Sequence, residues 1–161
     1  MSMEIWVLSD KQLNSVTEWQ AAIDAEGYPL QLGADMTFEA LRGFFPMQLR
    51  GERSGCECYH DPADELIKTN SHVDFGHVWK YALGFRWGGN LKEMQSAWMA
   101  ATAYAAAYAA ATSGVVVDDQ ELKIRTAEES RREVNEIVQG IPKMEEMLRN
   151  FKASLAERGK A

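Results

Sequence analysis

Two cysteines and a histidine at alternate positions form the cluster in this sequence that is best suited to chemistry. The segment reads Cys56-Glu-Cys58-Tyr-His60, and in a strand these three side chains lie on one face. Thiolates and imidazoles are ligands that zinc prefers, and a cysteine activated by a histidine is a nucleophile. Such positions on a strand lie about 6.6 Å apart, which suits chelation of one metal ion poorly. The alternative is that both cysteines are small hydrophobic core residues.

A second candidate site lies at residues 86–90, where a predicted strand turns into a helix. Helix N-terminal amides at the carboxyl end of a strand favour anions, and Arg86 adds a positive charge. The segment matches neither phosphate-binding glycine motif, so a tight turn also explains its two glycines. Carboxylates that follow a later valine strand fit either Mg²⁺ binding or a charged turn. The candidate ligand-binding residues are Arg86, Trp87, Gly88, Gly89, Asp118 and Asp119.

The elements that position these residues are clearest between residues 77 and 119. Large and small side chains alternate along residues 77–87, as in a strand whose large face is covered by helices. A capped, alanine-rich helix is predicted over residues 90–112, followed by a valine strand at 115–117. A strand, a helix and a strand at this spacing predict a βαβ unit with a right-handed parallel crossover.

The rest of the chain is predicted to alternate short strands and helices. Two capping boxes, Ser15-x-x-Glu18 and Thr126-x-x-Glu129, mark helix starts. Strands are indicated at residues 4–8, 28–33, 56–60 and 122–125, and residues 44–49 read as a buried loop or extended segment. Further helices are indicated at residues 38–42, 62–69 and 143–158, the last separated from the Thr126 helix by Gly140-Ile141-Pro142.

These elements predict one α+β domain over residues 1–161, with its last few residues frayed. The expected architecture is an α/β sandwich, in which helices pack on a single mixed sheet of about five strands and two helices end the chain. The length of 161 residues suits one domain with a real hydrophobic core.

Composition and charge exclude several classes of function. The N-terminus lacks the pattern of a signal peptide, and no apolar run reaches the roughly 20 residues needed to cross a bilayer. With two cysteines that form no disulfide framework, we expect a cytoplasmic location. The net charge is −7, and the first 60 residues hold nine acidic against four basic side chains. Such acidity disfavours nucleic acid and anionic membranes, and it favours a basic protein partner.

Acidic side chains near the front of the chain are the expected partner-binding residues. Aromatic residues such as Trp87 and the pair Phe44-Phe45 are candidates for a recognition patch, because aromatics are enriched at interfaces. The acidic candidates are Glu39, Glu52, Glu57, Asp61, Asp64 and Glu65.

One stretch resembles a pattern found in small uncharacterised bacterial cytosolic α+β proteins. It runs from Trp87-Gly-Gly89 through the alanine-rich helix to Gly114-Val-Val-Val-Asp-Asp-Gln120, less than a quarter of the chain. Some proteins of that kind are immunity proteins, which neutralise a toxin by binding it. The shared motif is structural, so the resemblance implies a bacterial accessory or immunity role and assigns no functional residue.

The sequence therefore leaves three functions open. The first is a non-enzymatic cytosolic binding protein of the immunity type, which neutralises a toxin or effector through an acidic, aromatic-containing surface and needs no cofactor. The second is a small enzyme or an anion- or nucleotide-binding domain that uses the turn at Arg86–Asn90. The third is a homodimeric structural protein whose amphipathic C-terminal helices pair across a two-fold axis.

Overall fold

The protein forms an α+β fold around one antiparallel sheet. The computed structural model describes residues 2–33, 41–49, 51–88 and 105–159. The strands are β1 (Ser2–Ser9), β2 (Leu30–Leu32), β3 (Arg42–Leu49), β4 (Glu52–Pro62), β5 (Tyr81–Gly88), β6 (Val115–Asp118) and β7 (Ile124–Thr126). The helices are α1 (Val16–Ala25), α2 (Ala63–Thr69), α3 (105–112 in its described part) and α4 (Ala127–Arg158).

Within the described residues the sheet has seven strands in the order β2-β3-β4-β5-β1-β6-β7, and every neighbouring pair is antiparallel. The predicted α+β class is confirmed, whereas the prediction of a mixed sheet of about five strands is wrong. One reason is that residues 42–49 form the full strand β3, which the sequence had indicated only as a loop or extended segment. In the sequence, Pro46 argues against a central strand here, since prolines in strands are confined to edges and bulges.

The two strands of the predicted βαβ unit are parallel to each other, but they do not pair with each other. Strands β5 and β6 both run antiparallel to β1, so they are parallel to each other, yet β1 lies between them. The apolar run Ile5–Leu8 explains this arrangement, because a strand that is apolar on both faces is stabilised most at the centre of a sheet. Residues 77–80 were also predicted as strand, but β5 begins only at Tyr81.

The inner face of the sheet carries the larger core. It includes Val7, Phe45, Cys58 and Phe85, and it is covered by α1, α3 and the start of α4. Trp19 of α1 is completely buried at its centre. The Trp19 ring stacks on Phe45 at a centroid distance of 5.9 Å and contacts Phe85 and Tyr108 at 5.7 and 5.6 Å.

Helix α1 begins as its sequence predicts. The Ser15 hydroxyl accepts a hydrogen bond from the Glu18 amide at 3.1 Å, while the Glu18 carboxylate accepts one from the Asn14 amide at 2.9 Å. The first bond satisfies an amide that the first helical turn leaves unpaired, and the second holds the residue before the cap, Asn14, where a full capping box would use the Ser15 amide. The cap fixes the helix start, so that Val16, Trp19 and Ile23 point into the inner core.

The described residues that cover the outer face of the sheet lie at one end of it. Leu8, Ala82 and Val117 form a second core there with Ala63 of α2 and with Phe75. The Trp6 ring lies over Gly84, where an added Cβ would meet it at 2.7 Å. The small residues at 82 and 84 therefore permit close approach of other groups to this face of β5.

The chain ends in one 32-residue helix, α4, rather than in two. The prediction of a break at Gly140-Ile141-Pro142 is wrong, since Pro142 lies inside the helix. A proline at this position removes one hydrogen bond and costs about 3 kcal/mol. The following residues, Lys143 to Arg158, are mostly strong helix formers, and they continue the helix beyond the proline.

We expect Pro142→Ala to stabilise α4 locally, because the alanine restores an amide donor and removes the clash of the proline ring. Amide hydrogen exchange in residues 143–150 should slow by roughly 10- to 100-fold, corresponding to about 1–3 kcal/mol. Pro142→Gly is the control and should give a smaller change. Unchanged or faster exchange in the alanine variant would mean that no continuous helix passes position 142.

Removal of the Trp19 ring should destabilise the whole fold. We expect Trp19→Ala to lower the free energy of unfolding by about 3–5 kcal/mol, as measured by urea titration with circular dichroism. Trp79→Ala is a suitable control, because Trp79 is only partly buried and lies outside the inner core. Equal losses in the two variants would argue against Trp19 as the centre of the core.

Candidate functional site

The part of the outer face that α2 leaves uncovered presents a row of side chains across four strands. Strand register places Phe44 of β3 opposite Glu57 of β4, Glu57 opposite Arg86 of β5, and Arg86 opposite Glu4 of β1. We refer to these four residues together with Tyr59 as the open face. It combines an exposed aromatic ring with ordered charges of both signs.

The charges of the open face are held by one another. Arg86 donates a hydrogen bond from Nε to Glu4 and forms an ion pair with the same carboxylate. Its guanidinium also lies 5.8 Å from the centroid of the Tyr59 ring, within the range of a cation–π contact. The Tyr59 hydroxyl donates a hydrogen bond to Glu57 at 2.9 Å, and this bond raises the pKa of Tyr59. The hydrogen bond to Glu4 likewise raises the pKa of Arg86.

Phe44 is the exposed aromatic group of this face, with 69% of its surface accessible. The Phe44 ring lies over Gly55 of the neighbouring strand β4. A Cβ atom added at Gly55 would overlap the far edge of that ring. Its sequence neighbour Phe45 points to the opposite face and is buried in the inner core. Of the aromatic residues predicted as a recognition patch, Phe44 is therefore accessible, whereas Phe45 and Trp87 are buried.

Three more of the predicted acidic residues lie next to the open face. Asp61 follows Glu57 on the same side of β4, and Asp64 and Glu65 occupy the first turn of α2. Arg42 forms an ion pair with Asp61 at 3.1 Å, and Lys68 forms one with Asp64 at 3.7 Å. Of the other two predicted residues, Glu52 lies on β4 with an undescribed side chain, and Glu39 lies outside the described residues.

The predicted ligand-binding residues are not brought together. Arg86 lies on the outer face, whereas Trp87 is buried in the inner core and Gly88 ends β5 opposite Ser2. Asp118 lies opposite Ile5, an inner-face residue, so that its side chain and Arg86 lie on opposite sides of the sheet. The exposed residue Asp119 follows in a turn, and Gly89 lies outside the described residues.

Asp118 instead belongs to a local network centred on Arg125. The Arg125 guanidinium lies 3.8 Å from Asp118, 3.4 Å from Glu121 and 3.3 Å from Glu133 of α4. Asp118 also accepts a hydrogen bond from the Gln120 amide at 2.8 Å, as expected for a charged turn. Burial raises the pKa of Glu133 despite the nearby Arg125. This network connects α4 to the edge of the sheet.

Cys56 and Cys58 are buried in the inner core and form no disulfide. Burial raises the pKa of the Cys56 thiol to about 12, and it raises the pKa of Cys58 further. Both sulfurs therefore stay protonated at neutral pH, whereas a metal ligand or a nucleophile needs the thiolate. His60 lies at the end of the same strand, where its ring stacks with Tyr81 and burial lowers its pKa.

Within the described ranges, no group of three or more histidine, cysteine, aspartate or glutamate side chains has the geometry of a metal site.

Two features of the open face were missed in the sequence. Glu4 was assigned only to a strand, and the contact of Phe44 with Gly55 depends on the pairing of β3 with β4. If residues 42–49 are taken as a strand, alternation places Phe44 and Phe45 on opposite faces of the sheet. That pattern is the sequence signal for one exposed ring.

Comparisons with known proteins return no match: no protein-family model, no curated protein and no solved structure is similar to this chain. The resemblance of residues 87–120 to a pattern in small bacterial α+β proteins, some of them immunity proteins, therefore stays a prediction. Among the helices that the structure describes, none has both the length and the apolar character needed for a membrane crossing.

We expect the two thiols to be inert in the folded protein. A thiol reagent at pH 8 should modify neither cysteine until guanidinium chloride unfolds the chain, and then it should modify both. Folding raises the pKa values of both thiols, so their protonated forms contribute to the free energy of unfolding. This contribution is complete below about pH 8.5 and falls as the pH rises towards 12. Rapid modification of the native protein would contradict this assignment.

Proposed function

We propose that this protein is a non-enzymatic cytoplasmic binding protein that uses the open face to cover a protein partner. The most specific form of the proposal is a bacterial immunity-type protein, which neutralises a toxin or effector by binding it. The observation that carries the proposal is the exposed Phe44 ring beside ordered charged groups on an uncovered sheet face.

The arrangement has the composition of a protein interface. Interfaces combine buried aromatic anchors with a polar rim, and a few such anchors supply most of the binding free energy. Phe44 supplies the anchor, while Glu57, Tyr59 and Arg86 hold each other in place around it. Because these polar groups are already ordered, binding requires little additional loss of side-chain entropy.

The charge of this region favours a basic partner. Among the described residues around the open face, the acidic residues outnumber the basic ones by five to four: Glu4, Glu57, Asp61, Asp64 and Glu65 against Arg42, Arg53, Lys68 and Arg86. The resulting local charge of −1 has the same sign as the net charge of −7 of the whole chain, and both attract a positively charged surface. The pairing of Arg86 with Glu4 leaves its charge compensated, which supports protein binding over capture of a free anion.

The test uses the product of the gene adjacent to this one as the candidate partner, with binding measured by biolayer interferometry. We expect Phe44→Ala to weaken binding by about 30-fold or more, the effect of losing a central aromatic anchor. Val78→Ala is the matched control, since Val78 is also exposed, at 84%, but lies in a loop outside the sheet. Equal effects of the two changes would refute binding through the open face.

The acidic residues should act mainly on the rate of association. The double variant Glu57→Gln, Asp61→Asn should associate several-fold more slowly at low ionic strength, and the difference should disappear at high salt. The double variant Glu136→Gln, Glu146→Gln, with two exposed changes on α4, controls for the loss of two negative charges. An association rate of the unaltered protein that does not depend on salt would refute electrostatic attraction.

A further inference from the structure

We propose that the distal half of α4, residues 143–158, pairs with the same segment of a second copy of this chain in an antiparallel orientation. The proposal does not depend on the open face, which lies on the sheet. It starts from a row of large apolar side chains that the described part of the fold leaves exposed. These are Met147, Leu148, Phe151 and Leu155, which are 67%, 41%, 61% and 51% exposed.

The exposed row follows from the way α4 leaves the sheet. Its first turns pack on the protein core, where Val134 is buried and Ile137 is partly buried. Residues 145–159 are all exposed, so the helix extends into solvent. Residues 143–158 span about 24 Å at 1.5 Å per residue. A single exposed helix of this length is marginal in water, and burial of its apolar face would stabilise it.

The spacing of the apolar residues is that of a two-stranded coiled coil. Val134, Ile137, Ile141, Met144, Leu148, Phe151 and Leu155 recur at alternating intervals of three and four residues. This is the a/d pattern of a heptad repeat, which lines one seam along a helix for a partner helix. The first members, Val134 and Ile137, meet the core of their own chain, whereas Leu148, Phe151 and Leu155 are exposed.

Charged residues beside the seam select the antiparallel orientation. With Leu148 at position a, Glu145 and Lys152 both occupy position e. Antiparallel helices bring e positions of the two copies together, so that each Glu145 faces Lys152 of the other copy. A parallel pair brings e positions against g positions instead, and the facing residues there are Gly140 and Met147. Only the antiparallel arrangement forms two ion pairs.

The same residues favour a second copy over a membrane surface. Residues 143–158 contain four basic and three acidic side chains, so the segment is almost neutral. Helices that lie on membranes usually carry a strongly basic polar face. In the antiparallel pair, Leu148 of one copy also faces Phe151 of the other. The segment is therefore complementary to itself in charge as well as in size.

Sedimentation equilibrium of the whole protein over a concentration series tests the pairing. We expect a reversible dimer, and we expect Leu148→Glu, Phe151→Glu to remain monomeric at all concentrations. Both side chains are exposed, so this variant should keep the unfolding temperature of the sheet, which circular dichroism checks. A monomer at every concentration, a dimer that survives the double change, or binding of the monomeric protein to anionic vesicles would overturn the proposal.

Charge reversal tests the orientation separately. Glu145→Lys and Lys152→Glu should each weaken the dimer several-fold, whereas the variant carrying both should restore it. An equimolar mixture of the two single variants should form heterodimers in preference to either homodimer. Glu146→Lys is the matched control, because position f points away from the seam and should leave the dimer unchanged. Single reversals without effect, or a double reversal that fails to restore the dimer, would overturn the antiparallel arrangement.

Discussion

The whole sheet depends on the pairing of β1 with two strands that are distant in sequence. Eight residues of β1 pair with β5 and four pair with β6, so this strand joins the β2–β5 half of the sheet to the β6–β7 half. Its side chains serve both cores, since Ile5 and Val7 face the inner core while Trp6 and Leu8 face the outer one. Without β1 the sheet would separate into two parts, each with an unpaired apolar edge.

This central position also determines where the open face lies. The inner face is covered by α1, α3 and the start of α4, with Trp19 as the largest side chain buried there. On the outer face, α2 covers the end near Leu8, whereas Phe44 and Glu57 at the other end are exposed. The four strands that contribute to the open face are held in register by their ladders, so its side chains have fixed neighbours.

Local patterns in the sequence predicted local structure well. The predicted helix starts at Ser15 and Thr126 are present, with a full capping box recorded at Thr126. The strands near Ile5, Cys58 and Val116 lie where alternation and β-branched residues place them. These features depend on contacts between residues near one another in the chain. The α+β class followed from them.

Long-range pairing was not predictable in the same way. The insertion of β1 between β5 and β6, and the contact of Phe44 with Gly55, are set by strand register. The break predicted at Pro142 is wrong for another reason. The favourable helix propensity of the residues after Pro142 outweighs the loss of one backbone hydrogen bond. For the candidate site, residue types in the sequence indicated acidic and aromatic groups. The ion pair of Arg86 with Glu4 could not be predicted, because it depends on the pairing of β1 with β5.

The position of β1 has a consequence for folding during synthesis. The ribosome makes β1 about 70 residues before β5 and about 110 residues before β6, so both neighbours are missing when it emerges. At about 5–20 residues per second, β1 waits on the order of 5–20 s before β6 is available. During that time its apolar run Ile5–Leu8 is open to other chains, as an unpaired strand of high β-propensity. Completion of the sheet is thus coupled to late events in translation, and a chaperone that shields the N-terminal segment would have its greatest effect in this interval.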